Sequence, residues 1–239
     1  MRITFLGASH GLPEPGRKCS AVLVKVGENR YLIDVGCDVM QEFIVRNIDM
    51  ASVKGVFISH PHGDHCNGLF SMTDLANWNY KTLNPKILVP IDGVKEILYQ
   101  WMSMMTGNRE PRPMTIEKYE AGVIYDDGTM KVTAIATKHC GGSHAFLLEA
   151  EGKRVLYTGD MTRTVEDFPH SVVEEGLDFL IGESAHFSTM KYVELLKDKP
   201  VKQVVITHHF APNNQFLDAK KALDPLPMAL AFDGMEFEI

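Results

Sequence analysis

The sequence predicts an α/β (α+β) domain in which two β-sheets pack face to face with helices outside. Three observations carry this. Strand-like apolar runs open each half of the chain, and helical stretches interleave with later strands, the order expected of layered sheets and helices. The 239 residues are 45% apolar, enough for a sizeable shared core. No low-complexity segment or solenoid-period repeat interrupts them, so the chain is read as a single domain over 1–239.

In the first half the strand-like runs are 3–6, 21–26, 31–34, 56–58 and 87–89. The turn Val26-Gly27-Glu28-Asn29 joins the second and third as a hairpin. In the second half the runs are 130–136, 145–149, 154–157, 179–181 and 203–206. Helices are predicted over 38–46, 66–77, 94–104 and 189–197. The stretch 102–113 stands apart: Met102, Met104 and Met105 precede a Gly- and Pro-rich run that breaks any helix. It reads either as a lid contributing Met and Arg to a substrate pocket, or as a surface loop whose methionines fill core gaps.

Net charge is −7, and no Lys/Arg block marks a nucleic-acid track, so a large RNA or DNA partner is disfavoured. The N-terminus reads directly as a strand without an apolar signal region, and no later run is long enough to span a membrane. The four cysteines lack CxxC spacing. A reducing cytoplasm with free thiols is the expected setting. Cys66 and Cys140 follow candidate ligand histidines, but are read as small packing residues.

The densest chemical signal is His60-Pro61-His62-Gly63-Asp64-His65, directly after the apolar run Gly55-Val56-Phe57-Ile58. Period-two geometry points His60 and His62 the same way, while Asp64 and His65 turn toward a second position nearby. Packing does not call for three imidazoles and a carboxylate in six residues; a pair of metal ions does. Further ligands are needed, and three strand ends offer them. His139, just beyond the run 131–136, is preferred, with His144 as the alternative. Asp160, after Tyr157-Thr158-Gly159, has two carboxylate oxygens and is suited to bridge two ions. His208 ends the apolar run 204–206 through Thr207, with His209 beside it in a role left open.

The order HxHxDH, a later His, an Asp after Thr-Gly and a final Thr-His resembles the metallo-β-lactamase superfamily over nearly the whole chain. Within it the sequence is most similar to the phosphodiesterase branch that contains the tRNA 3′-end-processing endonucleases. Ile3-Thr4-Phe5-Leu6-Gly7, Asp34-Val35-Gly36, the metal loop through Gly68-Leu69, Glu183-Ser184-Ala185-His186-Phe187-Ser188-Thr189 and Asp233-Gly234-Met235 carry that likeness. The resemblance implies an αββα sandwich with its site at one edge of the two sheets. It implies two divalent metal ions, preferably zinc, with manganese or iron as alternatives. His60, His62 and His139 would hold one, Asp64, His65 and His208 the other, with Asp160 bridging and Asp64 counted among the catalytic groups. It assigns His186 the proton donor to the leaving group and Glu183 the residue that orients it.

Departures narrow the expectation. The tRNA enzymes carry a tRNA-gripping arm between the third ligand His and the bridging Asp. Here about twenty residues separate His139 from Asp160 and read as a hairpin. Gly68-Leu69-Phe70 replaces the usual Gly-Leu-Pro, and Ala8-Ser9-His10-Gly11 puts an extra histidine near the metals. The expectation is therefore a phosphodiesterase acting on a small substrate, a cyclic nucleotide or short nucleotide derivative, with tRNA disfavoured and a homodimer allowed by analogy. The competing reading is a lactonase or thioesterase of the same fold. A non-catalytic metal sensor fits poorly with a full ligand set, and a diiron redox partner needs a carboxylate where His62 stands.

Overall fold

The computed structural model describes residues 1–210 and 214–239. The first sheet contains β1 (Arg2–Gly7), β2 (Ala21–Val26), β3 (Asn29–Ile33), β4 (Val53–Phe57), β5 (Lys86–Val89) and β6 (Ile116–Lys118). The second contains β7 (Gly122–Asp126), β8 (Lys131–Ala136), β9 (His144–Ala150), β10 (Lys153–Tyr157), β11 (Phe179–Glu183), β12 (Val204–Thr207) and β13 (Met228–Leu230). The last strand, β14 (Glu236–Glu238), returns to the first sheet and pairs antiparallel with β1. The two spatial orders are β14-β1-β2-β3-β4-β5-β6 and β13-β12-β11-β10-β9-β8-β7.

Each sheet opens as an antiparallel meander and continues as parallel strands. β1, β2 and β3 alternate in direction, then β3 to β6 run parallel. Likewise β7 to β10 alternate, then β10 to β13 run parallel. Helices α1 (Val39–Val45), α2 (Gly63–Trp78), α3 (Val94–Met105), α4 (His170–Glu174), α5 (Lys191–Leu196) and α6 (Asn214–Ala222) cover the outer faces.

The alternation of side chains along strands produces the four layers. Val22, Val24 and Val26 join the core between the sheets, with Phe5, Tyr31, Phe57, Phe146 and Phe179. Their neighbours Ala21 and Leu23 point the other way and pack under α1 to α3 with Phe43, Met72 and Met102. Leu180, Ile206, Tyr192 and Phe216 form the matching layer under α4 to α6. Strands buried on both faces read as continuous apolar runs, which is why these segments stood out in the sequence. The expected αββα sandwich of two mixed sheets is the observed architecture.

Differences lie at weakly patterned elements. α2 begins at Gly63, three residues before the predicted start, so Asp64 and His65 occupy its first helical turn instead of a loop. Gly63 and Asp64 are poor helix formers, but tertiary bonds override them: Val35 N–H donates to His65 O and Gly68 N–H to Val35 O. β6, β13 and β14 have three residues each, too short to show a period. The predicted helix at 38–46 is present, its start fixed by Asp38, whose side chain accepts from Met40 and Gln41 N–H.

The 102–113 stretch does not close over the strand ends. Arg112 N–H donates to Asn77 Oδ1 at 2.7 Å, and its guanidinium reaches Leu83 O at 2.8 Å. These contacts tie it to the C-terminal end of α2, about 20 Å along the helix from Asp64. Met102 is buried as core filling, while Met104 and Met105 are exposed.

Candidate metal centre

β1, β3 and β4 run one way within the first sheet, β8, β10, β11 and β12 one way within the second, and the candidate residues leave C-terminal strand ends in both. His60 follows β4, His139 follows β8, Asp160 follows β10, Glu183 ends β11 and His208 follows β12. Strands of one direction thus deliver distant parts of the sequence to a single edge of the sandwich. The first turn of α2 enters this edge because two glycines let backbones touch. A methyl on Gly36 would lie 1.7 Å from Asp64 O, and one on Gly68 2.0 Å from Cys37 O.

Ligand-type atoms of His60, His62, His139 and Asp160 lie within 4.8 Å of one another, those of Asp64, His65 and His208 form a second such group, and those of Asp160, His186 and His208 form a third. Asp160 sits between the first two. Its Oδ2 is 3.6 Å from both His60 Nε2 and His139 Nε2. Its Oδ1 is 3.4 Å from His65 Nε2 and 3.5 Å from His208 Nδ1. Asp64 Oδ2 is 3.0 Å from His208 Nε2. His62 Nδ1 and His139 Nε2 approach to 3.1 Å.

Whether these residues suit a cation is answered by their unsatisfied atoms. Among the described residues, His60 Nε2, His65 Nε2, His208 Nδ1 and Asp160 Oδ1 are buried without a hydrogen-bond partner, and all converge on one space. Leaving such atoms unpaired is costly, and a divalent cation satisfies them together. The residues therefore fit a metal group.

Supporting contacts aim the ligand atoms. His65 Nδ1 is 2.7 Å from Asp34 Oδ2, which turns Nε2 toward the cluster. Asp34 is fully buried and also accepts from Ser59 N–H at 2.7 Å, Ser59 Oγ at 2.8 Å and the Tyr157 hydroxyl at 2.7 Å. Ser59 Oγ lies 3.0 Å from His60 Nδ1, leaving Nε2 inward. Asp34, Ser59 and Tyr157 were not among the predicted site residues. The usable signal was a carboxylate ending the apolar run Tyr31-Leu32-Ile33, the same signal that singled out Asp160.

Burial sets the ionisation of His60, pushing its imidazole down to about 3 and keeping it neutral. Burial also depresses His65 and His208, but nearby carboxylates outweigh it. Asp160 and Asp34 raise His65 well above its usual range, and Asp160 and Asp64 lift His208 to about 9. Burial would raise Asp160, yet the facing histidines hold it well below the normal carboxylate range. Positive charge is thus favoured where His65 and His208 face Asp160, and disfavoured at His60 and His139.

Glu183 and His186 adjoin the cluster. Glu183 Oε1 is 2.9 Å from His186 Nδ1 and accepts from Met161 N–H at 3.1 Å. Its Oε2 accepts from the N–H groups of Ala185 at 2.8 Å and His186 at 3.1 Å. The hydrogen bond from Glu183 raises His186 above the ordinary histidine value. His186 Nδ1 is 3.7 Å from Asp160 Oδ2, and the ring lines a cleft of about 260 Å³ with Asp64, Asp160 and His208.

The alternative histidines point elsewhere. His144 Nδ1 is 3.0 Å from Gly142 O and its ring packs on Tyr119, outside the cluster. His209 Nε2 is 2.8 Å from Ala231 O. Cys66 Sγ faces Pro61 O rather than the metal groups. His10 lines the cleft but belongs to neither ligand group.

Comparison with known proteins agrees with this architecture. Ribonuclease Z of Picrophilus torridus is 30% identical over 151 residues, covering 62% of this chain and 47% of that protein. Ribonuclease BN of Salmonella paratyphi B is 31% identical over 162 residues, covering 65% of this chain and 50% of that protein. The chain thus spans about half the length of the curated relatives it matches. The solved metallo-β-lactamase fold protein YhfI from Bacillus subtilis superposes with a TM-score of 0.79 at 17% identity, covering 99% of both chains. The family model described as Anti-Pycsar protein Apyc1 matches residues 1–223. With the two seven-stranded sheets and the histidine–aspartate edge they carry, the chain has the metallo-β-lactamase fold and belongs to the Anti-Pycsar protein Apyc1 family.

Proposed function

We propose that this protein is a dinuclear metal-dependent hydrolase of small phosphodiesters, nucleotides among them. One observation carries the reading: a buried carboxylate, Glu183, holds His186 at 2.9 Å beside a histidine–aspartate cluster in which the two Asp160 oxygens face different histidines. His60, His62 and His139 would hold one cation, Asp64, His65 and His208 the other, with Asp160 shared. A donor set of imidazole and carboxylate without thiolate suits zinc, with manganese or iron as alternatives. Two such cations supply Lewis acidity and a lowered pKa for the attacking water.

The chain's own residues supply the rest. Asp160 keeps the two groups in register through its separate oxygens. Asp64 places a carboxylate at the cleft wall. Glu183 fixes the His186 ring through Nδ1 and favours its protonated form, so that Nε2 donates a proton to the departing alkoxide. Ester or thioester cleavage has less need of that donor. The names of the ribonuclease relatives support phosphodiester chemistry.

A small substrate is supported by what fills the chain between His139 and Asp160. It is the hairpin of β9 and β10, paired from Phe146–Tyr157 to Ala150–Lys153, with no inserted arm. A net charge of −7 also weakens the case for a polynucleotide. A reducing cytoplasm is part of the reading, since all four cysteines are free; among the described residues no helix is long and apolar enough to cross a membrane.

The test is turnover of bis-p-nitrophenyl phosphate by metal-loaded protein, beside a lactone and a thioester, with metal content measured on the same sample. Two metals per chain and phosphodiester turnover are expected. Ester or thioester cleavage without phosphodiester turnover would overturn the assignment.

A further inference from the structure

The candidate ligands His139 and Asp160 follow β8 and β10, which are not neighbours in the second sheet. β9 lies between them and runs the other way. No strand pairing therefore joins the two strand ends, yet His139 Nε2 and Asp160 Oδ2 stand 3.6 Å apart. The loop that carries His139 is closed largely on itself. Thr137 N–H donates to Ser143 O at 2.9 Å, Ser143 N–H to Cys140 O at 3.2 Å, and Cys140 N–H to Ser143 Oγ at 3.2 Å. Lys138, next to His139, is the exception: its N–H donates out of the loop to Asp167 Oδ2 at 2.8 Å.

The other oxygen of the same carboxylate takes the chain that follows Asp160. Asp167 Oδ1 accepts from Thr162 N–H at 3.1 Å and from Thr162 Oγ at 2.8 Å. Between Asp160 and Thr162, Met161 is fully buried, and its N–H donates to Glu183 Oε1 at 3.1 Å. Two successive amides after Asp160 are thus tied, one to Glu183 and one to Asp167. Asp167 reaches back to Thr162 because the chain turns sharply between them. Val165 N–H donates to Thr162 O at 3.0 Å, and Val165 has a φ of +54°. A β-branched residue rarely takes that left-handed conformation, and it persists only where the surroundings impose it. Here the Val165 side chain is buried in the layer under α4 to α6. Packing therefore holds an unfavourable turn whose product is a carboxylate placed between two ligand-bearing loops.

We propose that Asp167 is a positioning residue: it clamps the His139 loop to the chain after Asp160 and so sets the geometry of the group formed by His60, His62, His139 and Asp160. This rests on the dinuclear reading above. Asp167 is in none of the ligand groups and acts through the backbone of both loops. The clamp requires a carboxylate. Three donors meet its two oxygens, and an amide in its place would turn an N–H toward one of them. Asp64 and His65 ride on α2 and His208 follows β12, so the second group is carried by elements that Asp167 does not touch.

The test is competition for zinc between the whole chain and a chromogenic chelator, which resolves the affinities of the two sites. His139→Ala identifies the step that belongs to the first group. Asp167→Asn keeps the volume of the side chain and is expected to weaken that step roughly 10-fold, the lower end of what outer contacts to metal ligands cost. The other step should stay within about 2-fold. Metal-free Asp167→Asn should keep the wild-type far-UV spectrum. Lys138→Ala removes the lysine side chain but leaves its N–H on Asp167, so both steps should stay within about 2-fold. Two unchanged steps in Asp167→Asn, equal weakening of both, or a lost far-UV spectrum would overturn the clamp while leaving the dinuclear reading intact. Weakening of the first step by Lys138→Ala as large as that by Asp167→Asn would also overturn it, by assigning the effect to the lysine side chain. Fewer than two zinc ions taken up by the wild type would remove the dinuclear reading and the clamp together.

Discussion

Asp34 Oδ2 lies 2.7 Å from His65 Nδ1, so a carboxylate outside both candidate ligand groups decides which nitrogen of His65 faces Asp160. Asp34→Asn keeps the shape but offers an amide where an acceptor is required. Metal affinity is expected to fall about 10- to 100-fold, read by competition with a chromogenic chelator. Unchanged affinity would mean that Asp34 does not set the orientation of His65.

The Glu183–His186 pair predicts a separation of metal binding from turnover. His186→Ala should keep two metals per chain while phosphodiester turnover falls by roughly 10²- to 10⁴-fold. Because the Glu183 hydrogen bond raises His186, the protonated donor persists to higher pH and activity declines on the alkaline side. Glu183→Gln removes that bias, so the alkaline limb of the pH–rate profile should move to lower pH. An unmoved limb assigns it to another group.

Metal binding should expel protons. Without a cation, His208 is raised to about 9 and His65 lies well above its usual value, so both are protonated at neutral pH. Ligation requires their neutral forms, and apparent affinity should therefore rise with pH up to about 9. Calorimetry in buffers of different ionisation enthalpy should report proton release near pH 7. Chelation should also lower the melting temperature, by the linkage between ligand binding and stability.

Gly68→Ala is a test of how α2 is seated. The added methyl would meet Cys37 O at 2.0 Å and Val35 O at 2.6 Å, and backbone must move to admit it. A cost of roughly 2–3 kcal/mol is expected, seen as a Tm lower by about 5–10 °C. Metal affinity should fall with it, because Asp64 and His65 ride on the same turn.

Away from the site, Asp127 predicts a contribution to acid stability. Burial would raise its carboxyl, but the Met130 N–H, the Tyr31 hydroxyl and further donors outweigh this and hold it below the usual value. Its stabilisation is present above the unfolded carboxyl range and is lost as pH falls through the lowered folded value. Urea unfolding of Asp127→Asn should therefore differ from wild type near pH 6 and converge with it toward pH 3. The difference should stay within about 1 kcal/mol, as expected for an exposed group screened by solvent.

Much of the fold was legible because strands buried on both faces leave unbroken apolar runs. The turn chemistry of Gly27 also announced itself. The cluster was legible because His60, His139, Asp160 and His208 each follow such a run, so a local pattern reported a long-range meeting. Asp34 was missed since one acid at a strand end looks ordinary until Ser59, His65 and Tyr157 are seen around it. Short strands such as β13 and β14 exist through their partners alone, with too few residues to carry a period.

The return of β14 to β1 pairs Arg2 with Glu238 across nearly the full length of the chain. Asp233, just before that strand, accepts from Ala8 and Lys18 N–H and so moors the loop that carries His10. The first sheet is therefore completed by a strand that follows all seven strands of the second in sequence. The second sheet is contiguous in sequence and the first is not, because the strand that pairs with β1 lies beyond those of the second sheet. The molecule is in effect a closed loop with its seam on the edge strand, and the catalytic rim depends on that seam holding.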